Sequence, residues 1–221
     1  MGADRMSAMV IGVLFIVATV SAIGAVLYYP ILSNLDYLIN GPTRRNLITL
    51  GAVSELLAAV AVVGTSITFF PFLKEGNESI ALGYVGFRLL EAVIIVIGLV
   101  SLLSLLTLRQ EFAGGAGWDT SSLQTVGKSL LAVHAWTSVL GPNFMLGINT
   151  LLCGFLLYQT ELVPRTIAIM GLIGAASIFL AALLQMFGVI LPISRWKAVL
   201  TIPVASYEMI LAVYLIVKGF N

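Results

Sequence analysis

Five long apolar runs constrain the fold of this chain more than any other feature of its sequence. They cover residues 6–29, 47–73, 80–108, 166–189 and 197–217, and a shorter sixth run covers residues 142–158. Because about 20 apolar residues in a helix cross the hydrocarbon core of a bilayer, the five are long enough and the sixth lies at the lower limit. The runs predict an all-α protein: a polytopic membrane bundle of about six transmembrane helices, folded as a single domain over residues 1–221.

Composition supports the same class of protein. The 221 residues are 60% hydrophobic and 10% charged, and the mean hydropathy is +1.08. This is more apolar side chain than a soluble globule of this size buries, so the lipid bilayer is the expected partner. The formal net charge is only +1, with no block of like charge, and such a chain lacks the field that nucleic-acid binding requires. Nucleic acid is not expected as a partner.

Residues 122–140 follow a different pattern from the six runs. Apolar side chains recur there at helical spacing, opposite polar ones, which predicts an amphipathic helix along the membrane interface that runs into the fourth span across Gly141 and Pro142. A seventh span that turns at residues 141–143 is the alternative. Trp118 and Trp136 suit the headgroup level. The apolar positions are Leu123, Val126, Leu130, Val133 and Thr137, and the polar ones are Gln124, Lys128 and Ser129.

Small residues spaced four apart predict where helices pack closely. In lipid this spacing lets two backbones approach, so the first and fifth spans are expected inside the bundle. The same spacing also serves homo-oligomers and subunits of membrane complexes, and both remain open. The pairs are Ala8 with Gly12, Ala18 with Ala22, and Gly171 with Ala175.

Single copies of two residue types exclude several kinds of site. One cysteine, Cys153, and one histidine, His134, cannot build a disulfide framework, paired-histidine haem ligation or a multi-histidine zinc site. No nucleotide-binding glycine pattern occurs. We therefore expect no metal and no cofactor, and we assign no catalytic residue.

Four polar residues from three spans converge in height inside the apolar runs. Measured from the side that holds the termini, at about 1.5 Å of rise per residue, Arg88 lies about 12 Å deep, Glu91 about 16 Å, Glu208 about 15 Å and Asn149 about 14 Å. A lone charge at mid-bilayer costs about 3 kcal/mol or more, so pairing is strongly favoured. We expect Arg88 to pair with Glu91 in its own helix and with Glu208 across the bundle.

Two carboxylates beside one guanidinium leave one negative charge in excess. Either one carboxyl is protonated, or a cationic ligand or a proton shares the site. The set Arg88, Glu91, Glu208 and Asn149 is therefore a candidate site for a ligand or ion. The alternative is an architectural ion pair that pins the third span to the last.

Glu55 and His134 form a secondary candidate site. Glu55 lies about 12 Å inside the opposite face by the same helical rise, and it meets His134 if the amphipathic helix dips inward. Such a pair would bind or handle protons, whereas the alternative is an interfacial histidine hydrogen-bonded to backbone.

Short motifs in the last two thirds of the chain resemble the bacterial membrane family called domain of unknown function 4386. They lie at residues 86–91, 134–136, 154–158, 162–165 and 217–219, and the junction from Tyr158 to Pro164 and Arg165 is the most specific. The resemblance implies a prokaryotic plasma-membrane protein of about six spans and implies no particular activity. Asn149 departs from the family's pattern, which favours a bulkier or basic polar residue in the fourth span.

Three functions are consistent with these features. The first is a membrane protein that binds, and in some cases moves, a small cationic or amphiphilic solute or a proton at the Arg88, Glu91 and Glu208 centre. The second is a non-catalytic membrane subunit or scaffold, and the third is an intramembrane lipid-modifying enzyme. A cavity that reaches the centre favours binding, whereas a fully packed pair favours the scaffold.

Overall fold

The computed structural model describes residues 2–24, 45–113 and 119–221. Within these ranges the chain is helical and contains no β-strand. Trp118, predicted at the headgroup level, lies outside the described residues. The elements are α1 Ala3–Gly24, α2 Arg45–Leu73, α3 Glu78–Ala113, α4 Thr120–Val139, a π-helical turn Leu140–Met145, α5 Leu146–Thr160, α6 Arg165–Met186 and α7 Arg195–Val217.

Six helical segments of the described chain are long and apolar enough to cross a membrane. They are α1, α2, α3, α6, α7 and the 41-residue stretch Thr120–Thr160 in which α4, the π turn and α5 are continuous. The predicted all-α membrane bundle is therefore confirmed, and the chain is an integral membrane protein. The alternative of a seventh span turning at residues 141–143 is wrong, because the chain stays helical there.

The helices form a closed ring around a shared core. Going round it, α1 packs against α2, α2 against α3, α3 against α5, α5 against α6, α6 against α7, and α7 returns to α1. Large side chains with little or no exposure, including Phe15, Phe69, Tyr84 and Tyr207, fill the interior of the ring. The core is thus built from one face of each helix, with the opposite faces left to lipid.

The helix predicted near residues 122–140 is α4, and it packs lengthwise along the C-terminal half of α3. Ser101 of α3 donates to the Leu130 carbonyl over 2.6 Å, and Leu99 and Leu102 pack with Ile48 of α2. Near the start of α2, Ile48 and Ala52 pack with the second half of α3 and with Leu130 and Leu131 of α4, which forms a three-helix layer. This layer has its own apolar core.

Short turns join several of the helices. Lys74–Asn77 closes the hairpin of α2 and α3, and the side chain of Asn77 accepts a hydrogen bond from the backbone of Ile80 at the start of α3. Apolar side chains are exposed after α6 and at the start of α7: Phe187 in the turn at 81% and Trp196 in the first turn of α7 at 70%. In a membrane protein such side chains face lipid or the interface rather than water.

Glycines mark the close helix contacts. A β-carbon added at Gly12 would lie 2.6 Å from the Ala212 carbonyl oxygen, and one added at Gly171 would lie 2.7 Å from the Tyr207 ring. The small-residue spacing therefore located real contacts, between α1 and α7 and between α6 and α7.

Candidate functional site

Arg88 and Glu91 lie on the face of α3 that points into the ring of helices. Three residues apart, their side chains leave the helix on the same side. Arg88 is 2% exposed and Glu91 is 3% exposed. Since charges in a membrane interior require polar partners, the residues they meet define the candidate site.

Arg88 bridges two carboxylates from different helices. Its Nη1 atom lies 3.4 Å from Glu91 Oε2, and its Nη2 atom lies 3.5 Å from Oε1 of Glu208 on α7. The predicted contact across the bundle between the third and last spans is confirmed. Two separate nitrogens serve the two carboxylates, so the guanidinium ties α3 to α7 through a planar fork.

Each carboxylate has a second, neutral partner. Asn149 of α5 donates from Nδ2 to Glu91 Oε2 over 2.7 Å, and Thr150 donates to Asn149 Oδ1 over 3.4 Å. Thr19 of α1 donates to Glu208 Oε2 over 3.2 Å. We call Arg88, Glu91, Asn149 and Glu208 the polar centre; with Thr19 it joins α1, α3, α5 and α7.

The sequence analysis placed the four members of the polar centre together but missed Thr19. Counted from the start of its run, Thr19 lies about 20 Å deep, some 5 Å beyond Glu208. Calculating depth from residue number assumes that every helix runs parallel to the membrane normal. Residues of tilted neighbouring helices meet even though their calculated depths differ. A threonine near that height in an otherwise apolar span was the available signal.

Two aromatic rings complete the surroundings of Arg88. The guanidinium carbon lies 5.5 Å from the centroid of Phe15 and 5.7 Å from that of Tyr84. Both distances suit cation–π attraction, which is stronger where water is excluded. Tyr84 precedes Arg88 by four residues, so helical spacing alone would have identified it as a neighbour.

The charges of the polar centre do not balance. One guanidinium meets two carboxylates, which leaves one negative charge if both are ionised. Glu208 is the most exposed of the three at 8%, and Asn149 is fully buried. The arrangement can therefore hold one further positive charge, and Glu208 is its most exposed carboxylate.

His134 and Glu55, the secondary candidates, lie near the other end of the ring. His134 is buried on α4, with Nδ1 3.1 Å from the Gly98 carbonyl oxygen of α3. Gly98 makes room for it, since a β-carbon there would lie 2.3 Å from the Thr137 hydroxyl oxygen and 3.3 Å from the imidazole. Glu55 is half-buried on α2. Their joint role remains a prediction, and the backbone contact of His134 fits the simpler alternative.

Metal ligation is not indicated by the described part of the chain. Within it, no group of three or more histidine, cysteine, aspartate or glutamate side chains is placed to hold a metal ion. Cys153 is buried, and its sulfur lies 3.9 Å from the hydroxyl of Tyr207, which is the contact of a core side chain.

Comparisons with known proteins extend over nearly the whole chain. The family model described as Domain of unknown function (DUF4386) matches residues 10–219, a range that includes the polar centre. No curated protein and no solved structure matches the chain.

Proposed function

The chain belongs to this family of unknown function, and from that premise we propose that it binds a small cation, the proton before any other, at the polar centre. One observation carries the proposal: a single guanidinium lies between two carboxylates in a nearly closed membrane core. A surplus carboxylate there is strongly disfavoured, and one bound positive charge removes the surplus.

The proton is the cation that fits this packing best. Arg88 and Glu91 are almost fully buried, so a larger solute requires the helices to separate. A proton instead passes along hydrogen-bonded side chains. Resemblance of the motifs to a bacterial family supports the plasma membrane of a prokaryote as the place where this exchange occurs.

Glu208 is the carboxylate that we assign to gain and lose the proton. Its side chain is 11% exposed, against 4% for Glu91. The amide of Asn149 donates to Glu91 over 2.7 Å, which favours the ionised form of that carboxylate, whereas Thr19 is 3.2 Å from Glu208 and its hydroxyl can donate or accept. A hydroxyl partner therefore suits both protonation states of Glu208.

Infrared difference spectroscopy of the protein in lipid nanodiscs, between mildly alkaline and mildly acidic buffer, tests the assignment. We expect a protonated-carboxyl band to appear on acidification and to vanish in Glu208→Gln. Glu75→Gln, in the exposed α2–α3 turn, is the matched control and should keep the band. A band that persists unchanged in Glu208→Gln and in Glu91→Gln would contradict proton binding at this centre.

The alternative, an architectural ion pair, is favoured by one feature: the near-complete burial of Arg88 and Glu91. The two functions differ in the stability of Glu208→Gln. An amide mimics a protonated carboxyl, so a proton site predicts a variant that melts within a few degrees of the natural protein. An architectural pair predicts a loss of about 3–5 kcal/mol, because the buried guanidinium loses one of its charged partners.

A further inference from the structure

A groove of about 470 Å³ runs along the outer face of the last helix, α7, and ends at Lys218. It lies between two rows of side chains, and within each row the residues are one helical turn apart. The rows are Met209, Val213 and Val217, and Ile210, Tyr214 and Lys218. The Tyr214 hydroxyl is engaged, since it donates to Asn221 Oδ1 over 2.6 Å. The groove is therefore apolar along its length, with a cation at one end.

The length of this groove matches the depth of one leaflet. From Met209 to Lys218 the helix rises about 14 Å, close to half of a hydrocarbon core about 30 Å thick. Lys218 directly follows the last residue of α7, so its ammonium group lies at the headgroup end of the groove, and Met209 lies toward the middle of the bilayer. A phospholipid has the same arrangement, with an acyl chain that reaches the bilayer centre and a charged group at one end.

Lys218 has no carboxylate partner among the described residues. Its side chain is exposed. The chain turns at Gly219, where φ is 87°, and Asn221 then donates to the Glu161 carbonyl over 2.7 Å. The last residues thus pack across the end of the bundle and leave the lysine available to an anion from outside.

Arg5 of α1 makes this end of α7 suitable for an anion. The free carbonyls at the C-terminus of a helix repel negative charge. Arg5 donates to the Ile216 and Val217 carbonyls over 2.9 and 2.8 Å, and its Nη1 atom would lie 2.9 Å from a β-carbon added at Gly219. The guanidinium therefore offsets these carbonyls and adds a second positive charge close to Lys218.

We propose that the α7 groove binds one anionic phospholipid, with an acyl chain between the two rows of side chains and the phosphate at Lys218. A second copy of the chain, docked through the same face, would bring two lysines together without a carboxylate, because no acidic residue lines the groove. A phosphate supplies the missing counter-charge. The lipid site goes beyond the proposed function and does not depend on proton exchange at the polar centre.

Thermal unfolding in detergent with added lipid tests the role of the charge. Phosphatidylglycerol should raise Tm more than phosphatidylcholine with the same acyl chains. Its apparent affinity should fall about fivefold in Lys218→Gln, the usual effect of one lysine near an anionic lipid, and should be kept in Lys218→Arg. Lys74→Gln, in the exposed α2–α3 turn at the same end of the bundle, is the matched control and should bind phosphatidylglycerol as the natural protein does.

Filling the groove tests the role of the acyl chain. Val213 is 51% exposed, and Val213→Trp would place a large side chain in the middle of the groove. This variant should lose most of the stabilisation by phosphatidylglycerol, and native mass spectrometry should show fewer lipid molecules retained. Ile202→Trp, 60% exposed on α7 but outside the groove, is the matched control and should keep both.

Two results would overturn the lipid site. One is equal stabilisation of the natural protein by the two lipids, with no difference between Lys218→Gln and Lys74→Gln. The other is a natural protein that is dimeric and a Val213→Trp variant that is monomeric, because the groove then belongs to a second copy. Neither result affects the infrared test of Glu208, and failure of that test leaves the lipid site intact.

Discussion

Gly12 lies where the backbone of α1 meets that of α7. A β-carbon at this position would be 2.6 Å from the carbonyl oxygen of Ala212 and 2.7 Å from Ile216 Cγ1. A carbonyl oxygen of a hydrogen-bonded helix cannot move aside as a side chain can. The contact matters for the polar centre, because α1 supplies Thr19 and α7 supplies Glu208.

Substituting Gly12 by alanine should therefore destabilise the protein by about 1–3 kcal/mol, the usual cost of overpacking a tight contact. Gly86, on the exposed face of α3, has no atom within 4 Å of an added β-carbon. Gly86→Ala should be neutral or should stabilise the protein by up to about 1 kcal/mol through helix propensity. Thermal unfolding in detergent measures both, and equal melting temperatures for the two variants would be evidence against the close approach.

The ion pairs of the polar centre could be predicted from the individual residues. Arg88, Glu91 and Glu208 stand out because each is costly in lipid unless it is paired, and helical rise places them at similar depth. Phe15 and Thr19 could not be identified in the same way. An aromatic residue in an apolar span carries no such cost, and a threonine satisfies its hydroxyl within its own helix as readily as across the bundle.

At the scale of elements, the apolar runs predicted the helices well and the π turn not at all. The runs at 47–73, 166–189 and 197–217 end within three residues of α2, α6 and α7, whereas α3 continues five residues past its run and the run at 142–158 lies within a helix that begins at Thr120. Gly141 and Pro142 favour a break between helices, yet the chain continues, with the Leu146 N–H donating to the Gly141 carbonyl five residues earlier. Proline has no N–H to donate, which explains why the regular pattern of hydrogen bonds is interrupted at this point.

Because of the π turn, the helix face on which Asn149 lies could not be predicted by extending the periodicity of residues 122–140. One extra residue in a helical turn rotates all following side chains by about 100°. Asn143 repairs part of the interruption, since its side-chain amide donates to the Ser138 carbonyl over 2.9 Å. The turn also packs against α3 directly at Glu91, because a β-carbon on Gly141 would lie 3.3 Å from the Glu91 carbonyl oxygen.

The start of α4 gives a prediction about pH. Asp119 accepts hydrogen bonds from the Ser122 backbone N–H at 2.6 Å and from the hydroxyls of Ser121 and Ser122. These bonds, the backbone one foremost, hold the pKa of the Asp119 carboxyl below its usual range. The stabilisation is therefore complete above the unfolded-state pKa of about 3.9 and is lost as pH falls through the lower folded-state pKa.

We expect Asp119→Ala to lower Tm at neutral pH, while Asp119→Asn keeps the natural value because asparagine caps helices equally well. In acid the natural protein should lose this advantage over the alanine variant, and the asparagine variant should retain it, since an amide does not titrate. Circular-dichroism melts over a pH series test both statements. Parallel acid sensitivity of all three proteins would show that the cap contributes nothing.

At the scale of the whole molecule, side chains at the two ends of the sequence close the ring of helices. Arg5 of α1 donates to the Ile216 and Val217 carbonyls at the end of α7, over 2.9 and 2.8 Å. Asn221 accepts from the Tyr214 hydroxyl over 2.6 Å and donates to the Glu161 carbonyl over 2.7 Å. The ring centroid of Phe220 lies 4.4 Å from that of Phe72, with the two rings tilted by 39°. One face of the bundle is thus joined across α1, α2, α5 and α7.

Removing this closure with Phe220→Ala and Asn221→Ala should lower the free energy of unfolding by about 3–5 kcal/mol, mostly through the lost aromatic packing. The polar centre lies deeper in the bundle, so its infrared signature should persist while Tm falls. Glu75→Ala, exposed in the α2–α3 turn, is the control and should melt as the natural protein does. A double variant with an unaltered Tm would mean that these contacts are incidental.

The unequal lengths of the helices have a consequence for the surrounding lipid. α6 and α7, at 22 and 23 residues, are about 33 and 35 Å long, whereas the 36 residues of α3 extend about 54 Å. A flat hydrocarbon slab about 30 Å thick matches the short flank and not the tall one. The taller flank therefore has to tilt, to extend past the hydrocarbon core or to thicken the bilayer beside it, while the shorter flank needs none of these adjustments.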